Sequence, residues 1–187
     1  SAALPTGNAA WRRRHDAGSA RAPRRPLQAP GAQRAVRFAD QCSPSIDEPR
    51  VAILAAVETV NPDMQSTVDA AILCKMADRG QITGGLLDGP LALDNAISLD
   101  AAKVKHIDSP VAGRANVLVV PDLEAGNMLA KSLSFLAGAD AAGIVLGAKV
   151  PIILTSRADS VMTRLASCGI AVLVAQARRE AAAKAIG

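Results

Sequence analysis

Residues 51–57 are apolar without a break, and Val51, Ile53 and Val57 in that run are β-branched. A run of this length and type reads as a strand covered on both faces, so the rest of the fold must supply cover on two sides of one sheet. The chain after residue 57 has the matching texture. Residues 58–63 form a loop broken by Asn61 and Pro62. Ser66 and Asp69 then stand at capping-box spacing, and Val68, Ile72, Leu73 and Met76 recur at helical intervals up to Arg79 and Gly80. Residues 82–87 and 116–120 read as further strands. Residues 124–136 read as a helix with Met128, Leu129, Leu133 and Leu136 on one face. Residues 141–146 and 151–154 add two short strands. Asp159 then caps a long Ala-rich helix reaching residue 185, with an apolar stripe through Val161, Leu165, Cys168 and Val172. Strands alternating with helices imply βαβ units, a mainly parallel sheet and the α/β class.

The first fifty residues have a different chemistry. They hold six of the eleven prolines, the single Trp11, and nine arginines with no lysine. No apolar periodicity is evident there, so residues 1–45 are expected to be a disordered head. A second reading is that this stretch is non-authentic, because Arg, Ala, Pro and Gly without Lys is what GC-rich coding DNA yields out of frame. A nucleic-acid-binding arm is the third. The folded region is expected over residues 46–187. Charge divides the same way: residues 1–50 carry nine bases and four acids (+5), whereas residues 51–187 carry twelve bases and thirteen acids (−1). The overall +4 therefore does not describe the folded part, and no nucleic acid is expected as its partner.

Composition and motifs exclude several functions. Charged residues or glycine interrupt every apolar stretch before the roughly 18 residues that a membrane span needs, and no secretory h-region opens the chain. No membrane association and a cytoplasmic setting are expected. Cys42, Cys74 and Cys168 are widely spaced and lack a C-x-x-C pair, which points to reduced thiols. His15 and His106 stand apart, so no metal site is expected. Residues 143–149 superficially resemble a phosphate loop, but the glycine spacing is too short and no Ser or Thr follows Lys149. There is also no G-x-S-x-G elbow.

Three polar clusters fall just beyond the C-terminal ends of expected strands, where open α/β sheets place ligands. Residues 84–91 with Asp94 form the first and residues 121–127 the second; both read as ordinary turns and helix caps before they read as sites. The third, residues 151–157, ends in Thr155, Ser156 and Arg157. Two hydroxyls and a guanidinium ahead of a helix N-terminus can hold a phosphate through a planar fork, hydroxyl donors and free backbone amides. The alternative is an arginine paired with Asp159.

Taken in order, Glu58 through Pro62, Gly84 through Leu91, Pro121 through Asn127 and Leu154 through Arg157 resemble the successive signatures of the phosphate acetyl- and butyryltransferase family over about 140 residues. They also resemble the transferase half of proteins that fuse it to an enoyl-CoA hydratase. The resemblance implies a two-lobe α/β fold like that of isocitrate and isopropylmalate dehydrogenases, with this chain as the second lobe and the return into the first. It implies acyl transfer between CoA and phosphate, these being substrates, with no permanently bound cofactor and no metal, in a homodimer. Ser156 and Arg157 would carry the catalytic role, while Thr155, Asn127 and Asp159 would line the substrate site. Two departures point to the butyryl branch or to a member whose base is elsewhere, Asp159 being the nearest carboxylate, and leave acyl chain length open: Thr163 stands where acetyl-specific members carry an Asp, and Phe135 where they carry a basic residue. With most of the first lobe missing, the chain alone is expected to be inactive. A non-catalytic remnant of the same fold is one alternative; an isocitrate-type dehydrogenase is the other, but it needs a metal-binding Asp cluster that Asp88 and Asp94 do not make.

Overall fold

The computed structural model describes residues 29–42 and 48–184. In chain order its elements are α1 (Ala29–Cys42), β1 (Arg50–Leu54), α2 (Gln65–Asp78), β2 (Leu86–Leu91), α3 (Leu93–Ile97), α4 (Leu99–Val104), β3 (Val117–Val119), α5 (Leu123–Leu136) and α6 (Val161–Lys184). The three strands form one parallel sheet in the order β2-β1-β3. Val51 sits between Leu87 and Val117, and Ala52 between Asp88 and Leu118.

The central strand organises two cores. Because side chains alternate across a strand, Val51 and Ile53 enter one cluster with Ala32 and Val36 of α1, Ala70 and Leu73 of α2, and Ile82. Ala52 and Leu54 enter the other with Leu91, Ala96, Ala102, Val111 and Ala112. The apolar run at residue 51 thus meets cover on both faces, as its composition requires. Helix α2 is closed by Gly80, whose φ of 70° is the left-handed cap conformation that a glycine adopts without strain; its N–H donates to Ala77 O.

Several expectations are corrected. Helix α1 lies inside the stretch read as a structureless head, and its Ala32, Val36 and Ala39 are buried at i, i+4 and i+7. That short periodicity was hidden among the arginines; residues 1–28 and 43–47 lie outside the described residues. The second strand occupies Leu86–Leu91 rather than residues 82–87, running through Asp88, Gly89 and Pro90. Pro90 lacks an N–H, and the sheet tolerates it because β2 is an edge strand. Ser66 is not a cap: α2 is preceded by Met64, and Thr67 Oγ1 accepts from Asn61 N at 2.9 Å and donates to Met64 O at 2.8 Å. Residues 141–146 and 151–154 do not join the sheet, and only an antiparallel bridge pairs Val145 with Ile152. Apart from that bridge, these strand-like stretches stay irregular.

The long C-terminal helix forms as expected, but its faces are rotated. Val161, Leu165 and Val172 are 61–73% exposed, while the buried positions are Ser167, Ala171 and Val174. Ser167 Oγ accepts from Gly143 N at 3.0 Å and donates to Thr163 O at 2.7 Å, which turns the small-residue face inward. By length and composition alone, Val161–Ala183 is apolar enough to cross a membrane, which counting interrupted runs did not anticipate.

Two glycine substitutions test this packing. A Cβ at Gly89 would lie 2.6 Å from Ile53 O and 2.8 Å from Ile53 Cβ, whereas at Gly169 in α6 it would meet nothing within 4 Å. Gly89→Ala is expected to destabilise by about 1–3 kcal/mol. Gly169→Ala should stabilise by about 0.5–1 kcal/mol. Urea unfolding of both variants checks the opposite signs.

Candidate functional site

The loop between residue 154 and α6 is built by its own backbone. Asp159 accepts from Ser156 N through Oδ2, and Asp159 N donates back to Ser156 O at 3.1 Å. Ser156 Oγ accepts from Ala158 N at 3.4 Å. Ser160, not Asp159, caps the helix, taking Thr163 N at 3.0 Å and meeting Thr163 Oγ1 at 3.1 Å. Arg157 lies at the exposed turn, its carbonyl accepting from Arg164 Nη2 at 3.4 Å. The alternative of an Arg157–Asp159 pair is not realised: the Arg157 guanidinium forms no ion pair among the described residues, and the carboxylate holds the turn instead. The loop therefore offers a free guanidinium and two hydroxyls, with Thr155 half-buried and Ser156 exposed.

The second predicted cluster makes no hydrogen bond to this loop among the described residues. Asp122 caps α5 by accepting from Ala125 N at 2.7 Å, so residues 121–127 serve as the helix start that their pattern also allowed. Asn127 is exposed on α5, and no hydrogen bond joins it to Thr155, Ser156 or Arg157 among the described residues. Helix α5 has no buried residue, and Leu123, Met128, Phe135 and Leu136 are 66–86% exposed. Together with the bare stripe of α6, the candidate loop sits on the least enclosed part of the molecule.

A second polar cluster, missed in the sequence, lies beyond the C-terminal ends of β1 and β2. Lys105 Nζ is 3.3 Å from Glu58 Oε2 and 3.1 Å from Asp94 Oδ2. Asn95, fully buried, donates from Nδ2 to Glu58 Oε2 at 3.4 Å, and its Oδ1 has no partner among the described residues. Asp94 is held below the usual carboxylate range by its hydrogen bond to Lys105, then by the Asn95 backbone, and Lys105 is raised in turn by Asp94. The only sequence signal was the place of Glu58 and Asp94 after strands. Lys105 is brought in by α4, which periodicity did not reveal. Elsewhere, burial pushes the Cys74 thiol up to about 12, helped by the charges of Asp88 and Asp78, while Cys168 is exposed. No group of three metal-ligating side chains exists among the described residues.

The family described as Phosphate acetyl/butaryl transferase matches residues 25–172. The chain belongs to this family. The match begins upstream of the boundary expected at residue 46 and takes in α1. A phosphate acetyltransferase of Rhizobium meliloti is 69% identical over 141 residues, which are 75% of this chain and 45% of the relative. A phosphate butyryltransferase of Clostridium beijerinckii is 51% identical over 141 residues, covering 75% of this chain and 46% of the relative. Among solved structures, a branched-chain phosphotransacylase from Enterococcus faecalis V583 superposes with a TM-score of 0.67 at 33% identity, covering 78% of this chain and 52% of that one. The chain spans less than half the length of these two curated relatives.

Two titrations probe these environments. Lys105→Met removes the cation that depresses Asp94, so the Asp94 titration read by carboxyl NMR is expected to move up toward the ordinary carboxylate value. For Cys74 the raised value means that the unfolded chain ionises first, above pH 9, while the folded thiol stays protonated to about 12. Its contribution to stability is present below pH 9 and is lost as pH rises toward 12. Alkylation of the folded chain at pH 8 should accordingly label Cys168 well before Cys74.

Proposed function

We propose that this chain is the carboxyl-terminal part of a phosphate acyltransferase, moving an acetyl, butyryl or similar acyl group between CoA and phosphate. The observation that carries the reading is the free Thr155-Ser156-Arg157 turn ahead of α6, in a chain that belongs to this family. In the CoA-acylating direction, the CoA thiolate attacks the carbonyl carbon of an acyl phosphate. The C–S bond forms, the C–O bond to phosphate breaks, and inorganic phosphate leaves with the electron pair. No redox partner is needed.

In this reading Arg157 grips the phosphate through its planar fork, which a lysine cannot reproduce. Ser156 donates to the carbonyl oxygen as negative charge develops there, a contribution of about 3–4 kcal/mol for one well-placed donor. Thr155 and Asn127 line the cleft and Asp159 fixes the turn. Its carboxylate accepts the Ser156 N–H, which makes it a positioning residue rather than the general base. Holding acyl phosphate and thiol in register supplies up to about 7–11 kcal/mol, and that term needs walls on both sides of the reactants. The exposure of residues 152–157 and of α5 supports a cleft completed by further chain, a second lobe as in isocitrate-type dehydrogenases, within a homodimer.

In a full-length relative with this C-terminal sequence, Arg157→Lys should raise the KM for phosphate or lower kcat well beyond an ordinary surface change. Unaltered phosphate kinetics would remove Arg157 from the site. The 187-residue chain itself should not cleave acetyl-CoA or butyryl-CoA with phosphate at an enzyme-like rate, followed as free thiol. Turnover of about 1–1000 per second would mean that the open loop is sufficient.

A further inference from the structure

A cavity of about 310 Å³ opens between α1, the turn at residues 146–148 and α6, and three arginines line it: Arg34, Arg37 and Arg178. None of the residues assigned to acyl transfer contributes to it. Among the side chains that the structure describes, which do not include Asp40, none of the three guanidinium groups forms an ion pair. Arg34 and Arg37 come from the basic stretch 1–50 and Arg178 from the near-neutral remainder, so the packing of α1 against α6 is what gathers three cations around one cleft. Like charges gathered this way repel one another unless an anion sits between them.

The cavity is built rather than incidental. Arg178 is half-buried and fixed by donating from Nη1 to Ala148 O at 2.8 Å and to Lys149 O at 3.3 Å, and its other N–H groups make no further hydrogen bond among the described residues. Gly147 has φ of 102°, which favours glycine, and a Cβ there would stand 2.8 Å from Arg34 Nη1, so a larger residue would push that guanidinium aside. Phe38 and Val174 supply an apolar wall. Residues 143–149, which fail as a nucleotide-binding loop by spacing, thereby acquire a different use. Their turn carries no P-loop but braces two arginines. We propose that this cleft is a second anion site that binds a phosphate group through Arg34, Arg37 and Arg178, separate from the Ser156-Arg157 turn. Guanidinium forks match phosphate oxygens pairwise. The volume is at the low end of the roughly 300–1,000 Å³ of small-molecule pockets, which suits a phosphate with a small appended group.

Titration calorimetry of the 187-residue chain at low ionic strength tests this, with inorganic phosphate, ADP, CoA and dephospho-CoA as probes and chloride as the control anion. Saturable binding of at least one phosphate probe is expected, weakening steeply with added salt. Arg37→Gln and Arg34→Gln should each weaken it by about tenfold or more, the equivalent of one charged hydrogen bond. Gly147→Ala should weaken it comparably by displacing Arg34. Arg157→Gln should leave this binding intact. Preference for CoA over dephospho-CoA would assign the ligand as a phosphate monoester, and equal binding of inorganic phosphate would assign the free ion. The proposal is overturned if no phosphate probe binds, if binding survives both Arg34→Gln and Arg37→Gln, or if only Arg157→Gln abolishes it. The last result would leave the acyl-transfer turn as the sole phosphate site.

Discussion

Strand β1 has to hide both of its faces, and almost every packed contact in the molecule answers to that need. Its odd-numbered positions call for α1 and α2, and its even-numbered ones for α3, α4 and the turn at residues 111–112. β2 and β3 are held by pairing with it, since neither pairs with the other. What lies within reach of β1 is ordered around two compact clusters. What lies beyond, from α5 onward, keeps regular secondary structure but little burial. Helices can satisfy their backbone hydrogen bonds internally, so α5 and α6 persist without a core. Strand-like stretches cannot, and residues 141–154 are left with a single bridge.

That contrast also says what was legible in the sequence. The uninterrupted apolar run at residue 51, the helical spacing through Leu73, and the helix at residues 124–136 are local patterns whose meaning does not depend on the rest of the chain. The α/β class followed from them. Residues 151–154 carry an equally strong strand pattern and fail to be one, because pairing is a property of two segments and among the described residues only Val145 pairs with them, through a single bridge to Ile152. α1 failed the other way: Ala32, Val36 and Ala39 form a narrow stripe that arginines obscured. At the candidate site, the turn of Ser156 and Arg157 was readable from residue types. The Glu58–Lys105–Asp94 cluster was not, since it joins residues 47 positions apart through the packing of α4.

Family membership and geometry limit one another here. The relatives are enzymes roughly twice the length of the matched region, and the loop that carries the reactive residue types is the part of this chain with the least enclosure. Electrostatic donors gain strength from excluded water. In the proposed reading, the exposed turn holds its functional groups in the wrong medium. The local hydrogen bonds that shape the turn, from Asp159 and Ser160, survive that exposure because they are made within a few residues of chain.

Pro90 gives the sheet a direction. β2 contributes one hydrogen-bond donor fewer because Pro90 has no N–H, which disfavours lateral growth on that flank. The β3 flank has no such guard and is only three residues long. Recruitment of a further strand, whether from the same polypeptide, a sister molecule or an aggregate, is therefore less favourable beside β2, and β3 is the more permissive flank among the described residues.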